Sequence, residues 1–462
     1  MKTRIESDFL GDKEVCQDAY WGIHTQRAWE NFLITGYRTN ISLVHALALV
    51  KKACIMANME MDYLDSQKAD LMIKACEDIY DGLYNDQFIV DALQGGAGTS
   101  LNMNINEVIA NITIEKMGKE KGDYNIVHPI EDVNKHQSTN DVYPTALKIA
   151  VMFKLSSLSE QIAELQGAFQ LKEKEFSHII KIGRTELQDA VPITLGLEFS
   201  AFAEAFGRDR WRMFKSQERI RTVNIGGTAV GTGLTAPRDY IFLVIEKLRT
   251  ITNLGICRAD NLVDNTANND AFVEVSGIIK AHAQNLIKIS QDLRMLHLLK
   301  EIELPAVQVG SSIMPCKINP VIIEAIIQAG LKVNANDFLI TEAVNRSTFQ
   351  INEFMPLLAD SILESLDILI NANKILARHV LKIEANKNIC QDNLNKSFSL
   401  ITAFVPHIGY EKATKLVQEF IKLKEDENIN LMDFLQNKLD KDLVSKVLDP
   451  HNIVSLGDLK NE

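Results

Sequence analysis

The sequence predicts an all-α protein of three helical domains, with a central bundle of long helices. Two observations carry this expectation. Apolar residues at Leu147, Val151, Leu155, Leu158, Ile162, Leu165 and Phe169 recur at alternating steps of three and four, which draws one stripe down one helix face. No proline falls between positions 145 and 191, and comparable proline-free stripes cover 275–296, 322–333 and 358–380. In keeping with this, no β-rich runs of any length alternate with helices, as an α/β fold would require. Helices of some 25–35 residues with such seams are bundle helices, and helices this long commonly pack against other subunits.

Composition is that of an ordinary globular chain. The 462 residues are 46% hydrophobic and 24% charged, enough for a sizeable core and for several domains. A net charge of −12 argues against a general phosphate-binding surface, and so against nucleic acid. It says nothing against an anionic small molecule, which needs only a local cation. Six cysteines are scattered without C-x-x-C spacing, so neither a disulfide framework nor a zinc pattern is expected. The first residues lack the apolar core of a signal peptide, and no apolar run approaches the roughly 18 residues of a membrane helix. The expected compartment is the cytoplasm.

In chain order, residues 1–40 read as irregular and contain Tyr20-Trp21-Gly22-Ile23-His24-Thr25-Gln26-Arg27, where Trp21 and Arg27 suit packing and an ion pair as well as function. Positions 42–84 are helical in pattern. Then Gln94-Gly95-Gly96-Ala97-Gly98-Thr99-Ser100-Leu101-Asn102 leads into an apolar run. Such a turn either caps a helix or cradles an anion at its N-terminus. A Gly/Asp/Asn/Pro-rich break over 118–145 ends in Gln137-Ser138-Thr139-Asn140-Asp141 and marks a domain boundary. Its small polar side chains suit plain helix caps or carboxylate capture. Ile182-Gly183-Arg184-Thr185-Glu186-Leu187-Gln188-Asp189-Ala190 lies between bundle helices, and a Gly-rich turn follows over 226–233.

A helix-like, proline-free pattern over 239–304 leads to Gly310-Ser311-Ser312-Ile313-Met314-Pro315-Cys316-Lys317-Ile318-Asn319-Pro320, and helical periodicity resumes near Ile322. Glycine and two prolines keep this stretch out of helix. Two hydroxyls, a cation and an amide inside nine residues are what an active-site loop would carry. After Cys390 the pattern shortens into small helices with polar breaks at 406–410 and Glu425-Asp426-Glu427. The domains expected are 1–139, 140–390 and 391–462.

These blocks, in this order, resemble those of the aspartase/fumarase superfamily, whose members cleave C–N or C–O bonds to release fumarate. The resemblance covers essentially the whole chain and implies an all-α homotetramer with each active site drawn from three subunits. His24, the G-G-A-G-T-S wording and Q-D-A-V-P lean to the aspartase side. The implied reaction is reversible β-elimination of ammonia from L-aspartate, giving fumarate and ammonium. Gln26 and His128-Pro129 keep a class II fumarase as the alternative, and a retired helical scaffold is a third reading.

By the same resemblance Ser311 is the general base, and an aci-carboxylate is the intermediate. Ser312, Thr99, Ser138 and Thr139 match positions that bind the carboxylate gaining charge. Lys317, Asn319 and Thr185 match those that bind the other carboxylate. Asn140 lies where the amino group is handled. Glu186 stands where His or Gln is usual, and Glu324 matches a residue that pairs with that His in fumarase-like members. Two carboxylates cannot repeat the pairing without a proton or a cation between them, whereas Glu186 can attract a substrate ammonium. Cys316 replaces a small residue, and its thiol beside Lys317 would be sensitive to alkylation. No cofactor and no metal are implied. His24, His128 and His136 receive no catalytic role.

A serine hydroxyl is a weak base unless its alkoxide is stabilised. The backbone N–H groups of the Gly-Ser-Ser turn are the candidate stabilisers, and donors aimed at the carboxylate that gains charge would lower the barrier most.

Overall fold

A computed structural model describes residues 2–426, 430–455 and 457. The all-α expectation holds: helices dominate, and the sheets among the described residues are four two-stranded pairs. The chain runs β1 (Thr3–Asp8), β2 (Gly11–Cys16), α1 (Ile23–Asn31), α2 (Ile41–Glu60), α3 (Ser66–Tyr80), α4 (Thr99–Lys116) and a π-turn over Pro129–Val133. Then come α5 (Thr139–Glu175), β3 (Ile180–Thr185), β4 (Gln188–Thr194), α6 (Leu195–Ile220), β5 (Thr222–Val223), α7 (Arg238–Thr252), β6 (Cys257–Arg258), α8 (Leu262–Ala267) and α9 (Asp270–Leu298). β7 (Ile302–Glu303), α10 (Val321–Val344), α11 (Met355–Val380), β8 (Glu384–Ala385) and α12 (Lys387–Lys396) precede the short helices from Phe398 onward.

The long helices match their stripes and differ at their ends. The proline-free interval to 191 outlasts α5, because the chain turns at Glu175 into the hairpin β3–β4. The helix-like stretch over 239–304 is broken after Thr252, where Asn253 takes a left-handed backbone (φ 53°) and ends α7. Pro144 lies inside α5. It cannot donate to the Asn140 carbonyl four residues back, and that carbonyl accepts from Asn224 Nδ2 instead, at 2.9 Å.

Two compact units divide the chain. The first holds Met1–Ser159, Trp211–Ala283 and Leu331–Leu369. Here the segment expected to be irregular contains β1, β2 and α1. Two buried acids cap the start of α1. Glu107 accepts from the N–H groups of Gly22, His24 and Thr25 and from the Thr25 hydroxyl, and Glu6 accepts from Ile23. Burial pushes Glu107 up to about 7. Arg27 makes two 2.9 Å bonds to Asp8, so the structural reading of this arginine holds.

α2 packs on α3, α4 and α7 in the first unit. It is long and apolar enough to cross a membrane by length and composition, which the sequence reading did not expect. Most of it is buried inside the protein, Lys51 included.

The second unit holds Glu160–Arg210, Gln284–Gly330 and Ile370–Glu462. Phe169, Phe176, Phe199 and Phe206 form one aromatic cluster, with ring centroids 5.1–5.8 Å apart. Ile182 of β3 joins Leu400, Phe404, Leu416, Phe420 and Phe434 in a second apolar cluster. The small C-terminal helices thereby fix the hairpin. Of the polar break Glu425-Asp426-Glu427, Glu427 lies outside the described residues.

Candidate active site

Ser138, Thr139 and Asn140 stand at the mouth of α5, in the first unit. Ser138 caps the helix: its Oγ accepts from Asn140 N at 3.2 Å, and its own N–H donates to Asp141 Oδ1 at 3.0 Å. These two bonds cap the helix in the manner of a capping box, and they leave the Ser138 hydroxyl proton free to donate. Asn140 Nδ2 donates to Ala229 O at 2.7 Å. That leaves its Oδ1, which takes no bond among the described residues, as an acceptor suited to an ammonium. Thr139 Oγ1 accepts from Asn102 Nδ2 at 3.0 Å.

Asp141 joins this turn to the Gly-rich turn at 226–228. Its Oδ2 accepts from Gly226 N at 3.1 Å and Thr228 N at 2.9 Å. It is fully buried, and burial pushes its carboxyl up to about 6 against the pull of those N–H groups. Sequence reasoning gave Asp141 no role, although the Ser-x-x-Asp spacing of a capping box was present as a signal.

Thr99 opens α4. Its hydroxyl donates to Gly96 O at 2.7 Å, while Gln94 Oε1 accepts from Leu101 N at 3.0 Å. The glycine turn therefore serves first as a helix cap, and Thr99 must rotate to donate to a ligand. Gly98 has φ +94°, and a Cβ there would lie 2.3 Å from the Tyr143 ring. Only glycine fits both constraints. Behind this surface the buried Lys51 donates to Asn134 Oδ1 at 2.9 Å and Gln137 Oε1 at 2.8 Å. Burial lowers its ammonium to about 8. A charged residue at the centre of the apolar α2 pattern was its signal.

Thr185, Glu186 and the Gly-Ser-Ser loop belong to the second unit. Thr185 pairs with Gln188 at the end of the β3–β4 hairpin, and Glu186 and Leu187 form its two-residue turn with φ 51° and 60°. Both positive angles fit a type I′ turn, where Gly or Asn is usual. Thr185 and Glu186 are exposed. Neither Glu186 nor the half-buried Glu324 has a charged partner among the described residues.

The hairpin stem is held by charge. Fully buried Glu301 pairs with Arg184 at 2.8 Å and Lys181 at 3.1 Å, and accepts from Asn393 at 3.0 Å. Burial alone would raise its carboxyl; Arg184, Lys181 and Asn393 outweigh that and hold it below its ordinary value.

The loop at 310–320 closes on itself. Gly310 N donates to Lys317 O at 2.8 Å, and Asn319 Nδ2 donates to Gly310 O at 2.8 Å. A Cβ at Gly310 would meet Asn319 N at 2.8 Å, which excludes larger residues. Inside the closure Ser311 Oγ accepts from Ile313 N at 3.2 Å and Met314 N at 2.8 Å. The N–H groups that reach Ser311 Oγ thus come from Ile313 and Met314 and not from the Gly-Ser-Ser turn itself. Ser312 and Lys317 are exposed, and Lys317 has no acidic partner among the described residues. Asn319 is instead part of the closure. Cys316 is exposed with φ 65°, a left-handed backbone that favours glycine and that a side chain with a Cβ adopts at a cost.

The three histidines are structural or unassigned. His128 Nδ1 accepts from Ile130 N and Glu131 N, both at 3.1 Å, and His136 Nδ1 lies 2.6 Å from Asn58 Oδ1.

The chain is similar along nearly its whole length to known lyases. The model of a lyase family matches residues 11–335. Aspartate ammonia-lyase of a Bacillus species is 44% identical, over 98% of this chain and 98% of that protein. The Helicobacter pylori strain 26695 enzyme of the same name is 42% identical over 98% of each. A solved structure of fumarate lyase:delta crystallin from Brucella melitensis, bound to cobalt, superposes with a TM-score of 0.92 at 44% identity, covering 97% of this chain and 99% of that one. Class II fumarase of Schistosoma mansoni superposes with a TM-score of 0.90 at 29% identity, covering 98% and 99%.

Proposed function

From the premise that this chain belongs to the aspartase/fumarase superfamily of lyases, we propose that it is an aspartate ammonia-lyase, converting L-aspartate reversibly to fumarate and ammonium. The relatives carrying that name at 42–44% identity over nearly the full length support the C–N branch.

The single observation that carries the mechanism is the environment of Ser311. Two backbone N–H groups converge on its Oγ. They favour the alkoxide over the hydroxyl, which is what turns a serine into a base. Ser311 then removes the Cβ proton. The electron pair moves into the adjacent carboxylate as an aci-carboxylate, with Thr99, Ser138, Thr139 and Ser312 as its donors. Collapse of that intermediate expels the amine. Lys317, Asn319 and Thr185 hold the second carboxylate, and Asn140 Oδ1 accepts from the ammonium. Donors that strengthen as charge develops accelerate the step, whereas uniform binding does not.

The proposal includes a homotetramer with active sites shared between three subunits, and a cytoplasmic location. The exposed faces of the long helices, with Phe214, Phe338 and Leu331 among their exposed side chains, are in keeping with assembly.

Ultraviolet absorbance of fumarate, followed with L-aspartate in one cuvette and L-malate in another, tests the reaction. A rise with aspartate matched by ammonia release is expected. A rise with malate alone would make the protein a fumarate hydratase.

A further inference from the structure

We propose that Asn102 is a positioning residue that sets the polarity of the Thr139 hydroxyl, committing it as a hydrogen-bond donor towards the substrate carboxylate. This deepens, and rests on, the dicarboxylate-lyase reading above.

The direction of the hydrogen bonds follows from one group that can only donate. The Lys51 ammonium has three donors and no acceptor. It contacts Asn134 Oδ1 at 2.9 Å and Gln137 Oε1 at 2.8 Å, so the atoms facing it are the amide oxygens. The amide nitrogens agree: Asn134 Nδ2 donates to Gln137 O at 3.2 Å, and Gln137 Nε2 donates to Val133 O at 3.0 Å. Asn134 Oδ1 next faces Asn102 at 3.3 Å and Asn106 at 3.2 Å. An oxygen accepts only from nitrogen there, so Asn102 turns its Nδ2 towards Asn134. That same nitrogen lies 3.0 Å from Thr139 Oγ1.

An amide nitrogen donates and does not accept. The Thr139 oxygen therefore accepts a hydrogen bond from Asn102, and its own hydroxyl proton must point elsewhere. A carboxylate is acceptor-only, so a threonine that greets it with a lone pair repels it. Asn102 occupies one of the two lone pairs of Oγ1 and cannot take the hydroxyl proton, so the relay leaves that proton free for the carboxylate. Lys51, Asn102 and Asn106 work away from bulk water, at 0, 2 and 0% exposure, and Thr139 is at 9%. In such surroundings water does not compete for these donors, and each bond polarises the next.

A double-mutant cycle tests this, with two readouts on the full-length protein: kcat/KM for L-aspartate, and calorimetric binding of succinate, a dicarboxylate that cannot react. Thr139→Val removes the donor and is expected to lower kcat/KM by about 100-fold. Asn102→Leu leaves the hydroxyl uncommitted and is expected to cost about tenfold. The double variant should be no worse than Thr139→Val, within about twofold, with succinate affinity following the same pattern. Thr139→Ser should retain most activity. A tenfold loss carried into the Thr139→Val background would mean that Asn102 is merely structural and would overturn the proposal, as would a neutral Asn102→Leu. Asn102→Ala replaces Asn102→Leu in the cycle if the leucine variant does not fold. A wild type that binds succinate with the coupled pattern but leaves aspartate unreacted would keep the relay and overturn the aspartate reading. Turnover of aspartate with additive losses would do the reverse. A wild type that neither reacts with aspartate nor binds succinate would overturn both.

Discussion

Asp141 Oδ2 accepts the backbone N–H of Thr228 at 2.9 Å, across a gap of 87 residues in sequence. With Gly226 N on the same oxygen and Ser138 N on the other, one buried carboxylate ties the mouth of α5 to the Gly-rich turn. Asp141→Asn offers one acceptor and one new donor in place of two acceptors. At least one N–H is left unpaired, so a destabilisation of roughly 1–3 kcal/mol is expected in chemical denaturation. Activity should fall with it, because Thr139 and Asn140 ride on this turn. The pH dependence has a definite sign. Burial raises Asp141 from 3.8 to about 6 in the folded protein. Its contribution to stability is whole below the unfolded value and is lost as pH climbs through about 6. Wild type should lose stability between pH 4 and 6 relative to Asp141→Asn, which lacks this titration; parallel curves over that range would show that Asp141 is not perturbed.

Ser311→Ala should lower kcat by about 10²- to 10⁴-fold, the span typical of a lost general base. The fold should be unaffected, because the hydroxyl accepts only loop N–H groups. Succinate affinity should change little, since the base acts on the proton and not on the carboxylates. Wild-type turnover by the alanine variant would move the base elsewhere.

The fold was legible wherever a stripe was long. Residues such as Leu147 to Phe169 announce a helix because burial on one face repeats the 3.6-residue period. The β3–β4 hairpin was not legible. Its Lys181 is buried by pairing with Glu198 and Glu301, which no local pattern reveals. Its turn uses Glu186 and Leu187 with positive φ, where the usual hairpin signal is Asn-Gly. Candidate site residues were legible as a set of separated polar blocks. What those blocks do locally was not. Ser138 as a cap, Thr99 bonded to Gly96 and Asn319 as a loop clasp depend on distances that only folding supplies.

Glu186 occupies a strained, exposed position without a charged partner among the described residues. Such a backbone costs energy that stability alone does not explain, and it is the kind of outlier found at functional turns. If its carboxylate attracts the substrate ammonium, Glu186→Gln should raise KM for L-aspartate several-fold and leave inhibition by succinate, which lacks the amine, nearly unchanged. Steady-state kinetics with both compounds decide it. Unaltered KM and kcat for aspartate would remove the role.

Glu301 is the residue whose loss should reach the hairpin without touching its tip. Its two oxygens serve Arg184, Lys181 and Asn393, and its own backbone carbonyl accepts from Asn386 N at 2.9 Å. Glu301→Gln would leave Lys181 with Glu198 and Arg184 with Asp189, at 3.2 Å, as their remaining acids, so the lost charge-assisted bonds should cost roughly 1.5–3 kcal/mol. Glu198→Gln should cost less, since Lys181 keeps Glu301. The local consequence separates this from general destabilisation. Amide hydrogen exchange over 180–194 should accelerate in Glu301→Gln before the helices do, because Arg184 and Lys181 are both anchored in β3. Thr185 lies one residue beyond Arg184, so kcat/KM for aspartate should fall in step with the hairpin's protection. Faster exchange across the whole chain, with the hairpin no worse than the helices, would assign Glu301 to global stability alone.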